Sequence, residues 1–240
     1  MERRVDTDTE SPGRSSVRAA AREERPAPRA KWIRNNSLPL VLLTVIFLAF
    51  SLPPYLGLDP SLSRLELNDD FPLGLHYPAL VLHIGFGAIA LLFLCVQSSQ
   101  AIRARHRKIH RWSGRLYVWA GVVPSSVLVF TFLPFAVIRA GILGSTLAAV
   151  FWLVTTFVGQ KMARERRFRK HRQWMLYSAA FALQVVWGRI FNIGNSLLGL
   201  DIEPVLLAEA GGWLGWIINL LVVQWWISKR SRTASVPSPR

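Results

Sequence analysis

Six long apolar stretches, separated by charged segments, dominate the sequence. None contains an acidic side chain and Arg189 is the one basic residue among them; they cover residues 38–58, 78–96, 116–138, 140–158, 174–198 and 211–227. An α-helix needs about 20 mostly apolar residues to cross the hydrocarbon core of a bilayer. A soluble core helix would show a polar face with a 3.6-residue period, and these stretches do not. The sequence therefore predicts an all-α membrane protein, a bundle of about six transmembrane helices.

The basic residues indicate the orientation of this bundle. Of the 29 Lys and Arg residues, 26 fall within residues 1–36, 103–115, 161–172 and 229–240. The alternate loops carry seven acidic residues and only two basic ones, Arg64 and Arg139. Because loops rich in Lys and Arg stay on the cytoplasmic side, we expect both termini to be cytoplasmic. The net charge of +15 is then a topology signal, which indicates anionic lipids of the bilayer as a partner and no nucleic acid.

Composition divides the chain into three parts. Residues 1–36 are rich in Arg, Glu, Pro and Ser and poor in apolar side chains, which predicts a disordered basic cytoplasmic tail. A transmembrane domain follows over residues 37–228, and residues 229–240 form a second disordered tail. Bases in such tails either bind anionic lipid or simply remain solvated. The one cysteine, Cys95, lies inside an apolar stretch, so we expect neither an intramolecular disulfide nor a zinc motif.

Two basic loops end in related short sequence motifs, called the His–Arg words below. One contains His110-Arg111 and then Tyr117, the other His171-Arg172 and then Tyr177, and each word precedes an apolar stretch. This similarity predicts that spans two and three, and spans four and five, are copies of one helical hairpin.

The words place histidine and arginine at helix N-termini, where free N–H groups and the helix dipole favour anions. The same field keeps His110 and His171 neutral, while Arg111, Arg115 and Arg172 supply charge-assisted bonds to phosphate or carboxylate. A lipid headgroup, a phosphorylated small molecule or a haem propionate would each fit. The alternative is that these residues only mark the cytoplasmic side and that the histidines are incidental.

A second polar group lies deeper in the predicted spans. Arg189 is 15 residues past Trp174, about 22 Å along a helix, and His83 lies at a similar depth in the second span. Asn192 follows Arg189 one turn later. These residues predict a small pocket open to the outside, and a charge at this depth is costly enough to need a role. The alternative is that Arg189 extends to the interface and His83 bonds to a neighbouring backbone.

Glycines within the second and fifth spans indicate where helices approach each other. They are Gly85 and Gly87 in one and Gly188 and Gly194 in the other. Small residues let helix backbones come close in a bilayer.

A b-type haem held by His110 and His171 is the alternative function, with an arginine on a propionate. It would make the protein a membrane oxidoreductase involved in electron transfer. Against it, His110 precedes its apolar stretch by six residues. No catalytic residue set is visible, and hydrolase chemistry has no support.

Three words resemble those of a family of predicted bacterial membrane proteins called domain of unknown function 2306. They are His83-Ile84-Gly85, His110-Arg111-x-x-Gly114-Arg115-x-Tyr117 and His171-Arg172-x-Trp174-Met175, and the resemblance covers about residues 78–195. It implies a compact multi-span bundle in the bacterial cytoplasmic (plasma) membrane and implies no established activity.

Overall fold

The computed structural model of the chain describes residues 37–62, 75–136 and 138–234. Within these ranges the regular structure is entirely helical, which confirms the all-α prediction. The predicted N-terminal tail, residues 1–36, lies outside the described residues.

Four helices of the described chain are long and apolar enough to cross a membrane. The first is α3, His76–Ser98, and the second runs over Arg107–Phe132 as α5 (Arg107–Leu116), a π-helix (Tyr117–Val122) and α6 (Val123–Phe132). The others are α7, Ile142–Arg164, and α10, Pro204–Ala234, of which Pro204–Lys229 is the apolar part. They correspond to the second, third, fourth and sixth predicted spans.

The first predicted span is short. Helix α1, Leu38–Ser51, has 14 residues, which at 1.5 Å per residue is about 21 Å, less than the roughly 30 Å of a bilayer core. It ends ahead of Pro53 and Pro54, which cannot donate to the preceding turn, and the four-residue α2, Pro53–Leu56, follows. The prolines therefore divide the stretch that the sequence analysis treated as one span.

The fifth predicted span is interrupted near its middle. It consists of α8, Phe168–Ala182, and α9, Val185–Leu198, which are joined through Leu183 and Gln184. The carbonyl of Ala180 accepts a hydrogen bond from Asn219 Nδ2 of α10, at 2.9 Å. A side chain from another helix thus bonds the backbone next to the break, as such interruptions require in lipid.

The last helix is longer than predicted. It continues to Ala234, so the first six residues of the predicted C-terminal tail, 229–234, are helical. Residues 235–240 lie outside the described part of the chain.

The core forms where the long helices meet. Helix α3 packs against α5, the π-helix and α6, while α7 packs against α8, and α10 packs against α7, α8 and α9. Short helix α4, Gln100–Arg105, links α3 to α5. The buried core residues come from α3 (Ala90, Leu91, Leu94), the π-helix (Tyr117, Val118, Val122), α7 (Ala148, Trp152) and α8 (Phe181, Ala182).

Glycines set the closest helix contacts. A Cβ added to Gly121 would lie 2.8 Å from the Cα of Ala90, and one added to Gly144 would lie 2.6 Å from the carbonyl oxygen of Gly212. Neither contact leaves room for a side chain, so the π-helix meets α3, and α7 meets α10, backbone to backbone. These glycines are not the ones that the sequence analysis selected.

Of the four selected glycines, two do have a neighbour. A Cβ on Gly87 would lie 3.6 Å from Ser125 Oγ, and one on Gly211 would lie 3.7 Å from the Cα of Gly188. Added Cβ atoms on Gly85, Gly188 and Gly194 would meet nothing within 4 Å, so the prediction was wrong for Gly85 and Gly194, and Gly188 is approached only from the side of Gly211. A glycine in an apolar run indicates close approach only when it faces another helix.

Candidate anion-binding site

Both His–Arg words lie at one end of the bundle, called the basic end below, which comprises residues 97–115, 159–175 and 224–229. Helices α5 and α8 begin there, and α3, α7 and the apolar part of α10 end there. Gln97 of α3 bonds to His110 of α5, and the guanidinium of Arg172 in α8 lies 5.5 Å from the ring centre of Trp226 in α10. The prediction that the two words share one side of the molecule agrees with these contacts.

Each histidine is the fourth residue of its helix. The backbone N–H of His110 donates to the carbonyl of His106 at 3.1 Å, and that of His171 to the carbonyl of Arg167 at 2.9 Å. Both rings therefore lie at the first helical turn, where the free N–H groups of α5 and α8 favour negative charge.

His171 has a fixed ring orientation. Its Nδ1 lies 2.8 Å from the carbonyl oxygen of Gly159 in α7. A carbonyl only accepts, so Nδ1 carries the proton and Nε2 is left for another partner. Gly159 lies close to α8, and a Cβ added to it would lie 2.8 Å from the Sδ atom of Met175 and displace that flexible side chain.

His110 is held by its backbone rather than by its ring. Gln97 Nε2 donates to the carbonyl oxygen of His110 at 2.7 Å and to Ser113 Oγ at 2.6 Å. The ring Nδ1 of His110 is buried and has no hydrogen-bond partner. This nitrogen, like five other buried side-chain atoms of the described residues, has no partner within the protein and is therefore a candidate to bond to water or a ligand.

Exposed cations follow each of the two histidines in the sequence. Arg111, Arg115 and Arg172 are all exposed. The guanidinium of Arg115 lies 5.1 Å from the ring centre of Trp112, and the ammonium of Lys229 lies 5.2 Å from that of Trp225. Together with the Arg172–Trp226 pair these contacts form a layer of cations and tryptophans, typical of a membrane interface.

The acidic residue of the described basic loops is already paired. Glu165 Oε2 lies 3.4 Å from Nε of Arg167. This single carboxylate is outnumbered by the Lys and Arg residues of the same loops, so the field at the basic end is positive.

A buried polar network lies behind the histidines, and sequence reasoning missed it. Tyr117 OH lies 2.7 Å from Ser178 Oγ and accepts a bond from Trp152 Nε1 at 3.2 Å. Ser178 Oγ in turn lies 2.7 Å from Thr156 Oγ1. The network joins the π-helix, α7 and α8. One signal for it was present, since Tyr117 and Ser178 each follow a word histidine by seven residues, two helical turns on the same face.

The predicted outer pocket is not assembled by the described contacts of its members. His83 Nδ1 lies 2.9 Å from the carbonyl oxygen of Ser125 and 3.1 Å from its Oγ, and its ring meets Phe132 edge-on at 5.2 Å. Asn192 Nδ2 donates to the carbonyl of Gly188 in its own helix at 2.7 Å. Arg189 is half-buried on α9, which packs against α10. His83 thus bonds to Ser125 of α6, and the outer pocket stays a prediction.

The described residues hold no group of three or more His, Cys, Asp or Glu side chains placed to bind a metal ion. The basic end presents imidazole nitrogens and guanidinium groups, and guanidinium groups form charge-assisted hydrogen bonds to anions.

Comparison with known proteins gives one match. A family model described as "Predicted membrane protein (DUF2306)" matches residues 80–227, more than half of the chain. The match continues through α10, so the resemblance seen in the sequence words, about residues 78–195, was too short at its C-terminal end. No curated protein and no solved structure matches the chain.

Proposed function

Since the chain belongs to the DUF2306 family of predicted membrane proteins, we propose that it binds a small anionic ligand or lipid headgroup at its basic end. The residues are His110, Arg111, Arg115, His171 and Arg172. We propose further that it lies in the bacterial cytoplasmic membrane with both termini in the cytoplasm, and that it is a binding protein rather than an enzyme.

The buried Nδ1 of His110 is the observation that carries the proposal. Each of the two histidines lies in the first turn of a helix at the basic end and is followed directly by an exposed arginine. A phosphate or carboxylate placed between the two first turns would accept bonds from free helix N–H groups and from the guanidinium groups. A protonated Nδ1 of His110 would then donate to the same anion.

Histidine NMR tests this proposal directly, because the chain has only 5 histidines. The full chain in detergent micelles, labelled with ¹³C at histidine Cε1, is titrated with glycerol 3-phosphate. We expect the signals of His110 and His171 to shift with saturation, and those of His76 and His83 to stay in place. The double variant R111Q/R172Q should lose the shifts.

The matched control is R105Q/K108Q, which removes two exposed positive charges from the same end. This variant should keep the titration of the parent protein. Equal loss in both double variants, or a uniform shift of all five histidine signals, would show a nonspecific charge effect and contradict the proposal.

Haem b is the second candidate, and one observation favours it. His171 leaves Nε2 available while its Nδ1 bonds to a backbone carbonyl, as axial histidines commonly do. The packing fits less well. Gly114 lies against Gln97, and Gly159 lies against Met175. Side chains therefore already occupy the space beside these two glycines, where a haem would need room. An absorption spectrum of the purified protein, oxidised and then reduced with dithionite, decides this: a haem b band lost in H171A supports haem, and a colourless protein excludes it.

A further inference from the structure

A groove of about 360 Å³ lies between the second and third long helices and extends into the basic end, and its lining residues differ from those of the His–Arg words. It is lined by Trp119, Phe157, Gln160, Lys161 and Arg164. None of these residues belongs to the candidate set proposed above, so this groove is a separate feature of the molecule.

Four of the five residues form one stripe on α7. Phe157, Gln160, Lys161 and Arg164 follow the i, i+3, i+4, i+7 spacing of a single helix face. The opposite wall is Trp119 of the π-helix, whose ring centre lies 6.0 Å from that of Phe157 in an edge-on arrangement. Trp119 is 58% exposed and Phe157 is 40% exposed, so this aromatic pair presents its faces outward.

The chemistry of the groove changes along the helix axis. Seven residues separate Phe157 from Arg164, which is about 10 Å at 1.5 Å per residue. The aromatic part, Trp119 and Phe157, lies beside the apolar stretch of α7. The cationic part, Lys161 and Arg164, lies in the last turn of that helix. A ligand that fills the groove must therefore be amphiphilic, with an apolar part next to an anionic group.

The two cations face no neutralising acid from the next turn of the chain. Glu165 follows Arg164 directly, but its carboxylate pairs with Arg167 at 3.4 Å. Both Lys161 and Arg164 are exposed. At the depth of lipid headgroups, exposed cations of this kind attract anionic lipid.

We propose that this groove binds one anionic glycerophospholipid. Its phosphate lies on Lys161 and Arg164, Gln160 offers an amide N–H to the headgroup, and its acyl chains lie along Trp119 and Phe157. Binding at the His–Arg words and binding in this groove involve different side chains, so either can fail without the other.

Native mass spectrometry of the full chain, released from nanodiscs that contain equal amounts of phosphatidylglycerol and phosphatidylcholine, tests the proposal. We expect the protein to retain one phosphatidylglycerol in preference to phosphatidylcholine. The variant K161Q/R164Q should reduce this retention roughly 25-fold, because each base contributes roughly fivefold near an anionic lipid. The variant R166Q/R169Q, which removes two exposed charges from the same loop, should retain the lipid.

Two further measurements separate a lipid from its headgroup. W119L should weaken retention of phosphatidylglycerol. Its thermal midpoint should stay close to that of the parent protein, since Trp119 is exposed. Excess glycerol 3-phosphate should fail to displace the lipid, because it lacks the acyl chains. Equal loss in both charge variants, equal retention of the two lipids, or displacement by glycerol 3-phosphate would overturn the proposal.

Discussion

The hydroxyl group of Tyr117 in the π-helix forms hydrogen bonds to α7 and α8 and so connects three helices. Its hydroxyl is bonded both to Ser178 and to the indole of Trp152, and its side chain is fully buried. A buried polar group that loses its partner costs more than the bond itself contributes, because it remains desolvated. The free energy of unfolding should therefore be sensitive to the loss of the Tyr117 hydroxyl oxygen.

Replacing Tyr117 with Phe removes that oxygen and nothing else. We expect the variant to lose about 1–2 kcal/mol of stability, since Trp152 Nε1 is left without its acceptor in an apolar interior. Thermal unfolding in detergent, followed by circular dichroism, measures the change. Tyr177→Phe is the matched control, because its hydroxyl bonds to Gln224 in an exposed position. Equal shifts in the two variants would contradict the role given to Tyr117.

Some residue roles follow from sequence and others need the fold. The positions of His110 and His171 in the first turn of helices were predictable, since each word precedes an apolar run. Ser178 and Thr156 were not, because a short hydroxyl side chain in an apolar stretch often bonds to its own helix, as Thr156 also does to the carbonyl of Trp152. Only the approach of α7 and α8 brings them together.

At the scale of helices, the two hairpins share features at one sequence offset. His110 and His171 are 61 residues apart, as are Tyr117 and Ser178. The π-helix ends at Val122 and the break between α8 and α9 begins at Leu183, again 61 residues later. The two irregularities therefore adjoin one another at this offset without coinciding, and the duplication of a helical hairpin stays a prediction. Neither irregularity was predicted, since Leu183 and Gln184 carry no helix-breaking chemistry of their own.

The close contact of α7 with α10 depends on glycine at positions where any side chain would collide with the other helix. We expect Gly144→Leu to destabilise the bundle by about 1–3 kcal/mol, because the carbonyl oxygen of Gly212 occupies the space a Cβ needs. Gly85→Leu is the matched control, since a Cβ there meets nothing within 4 Å. Thermal unfolding of both variants in one detergent measures the difference. A Gly85 variant as unstable as the Gly144 variant would show that helix crossing is not the cause.

For the whole molecule, charge distribution predicts which face meets the cytoplasm. The basic end carries the exposed arginines and lysines of two loops, and Asp201 and Glu203 lie exposed beyond the opposite end of α9. The apolar runs and the loop charges were sufficient to predict that basic and acidic residues lie at opposite ends of the bundle, and the orientation in the membrane stays a prediction. They did not show that α1 is short or that α8 and α9 are separate, because hydropathy registers composition and not hydrogen bonding.

Cysteine labelling checks the orientation. With Cys95 replaced by Ala, single cysteines are introduced at Asp201 and at Arg166, both exposed in the structure. In intact cells a membrane-impermeant maleimide should label D201C, and it should label R166C only after permeabilisation. The reverse pattern would place the basic end outside the cell and contradict the proposed orientation.

The π-helix has a consequence for how this chain should be compared with its relatives. A π-helical turn accommodates one more residue than an α-helical turn, and one residue corresponds to about 100° of rotation. A relative with a single-residue deletion within Tyr117–Val122 would have an uninterrupted helix. Its counterparts of His110 and Arg111 would then be rotated by about 100° relative to Ser125 and the residues that follow. Where such a gap appears in an alignment, matching letters in the His–Arg word would no longer imply a matching site.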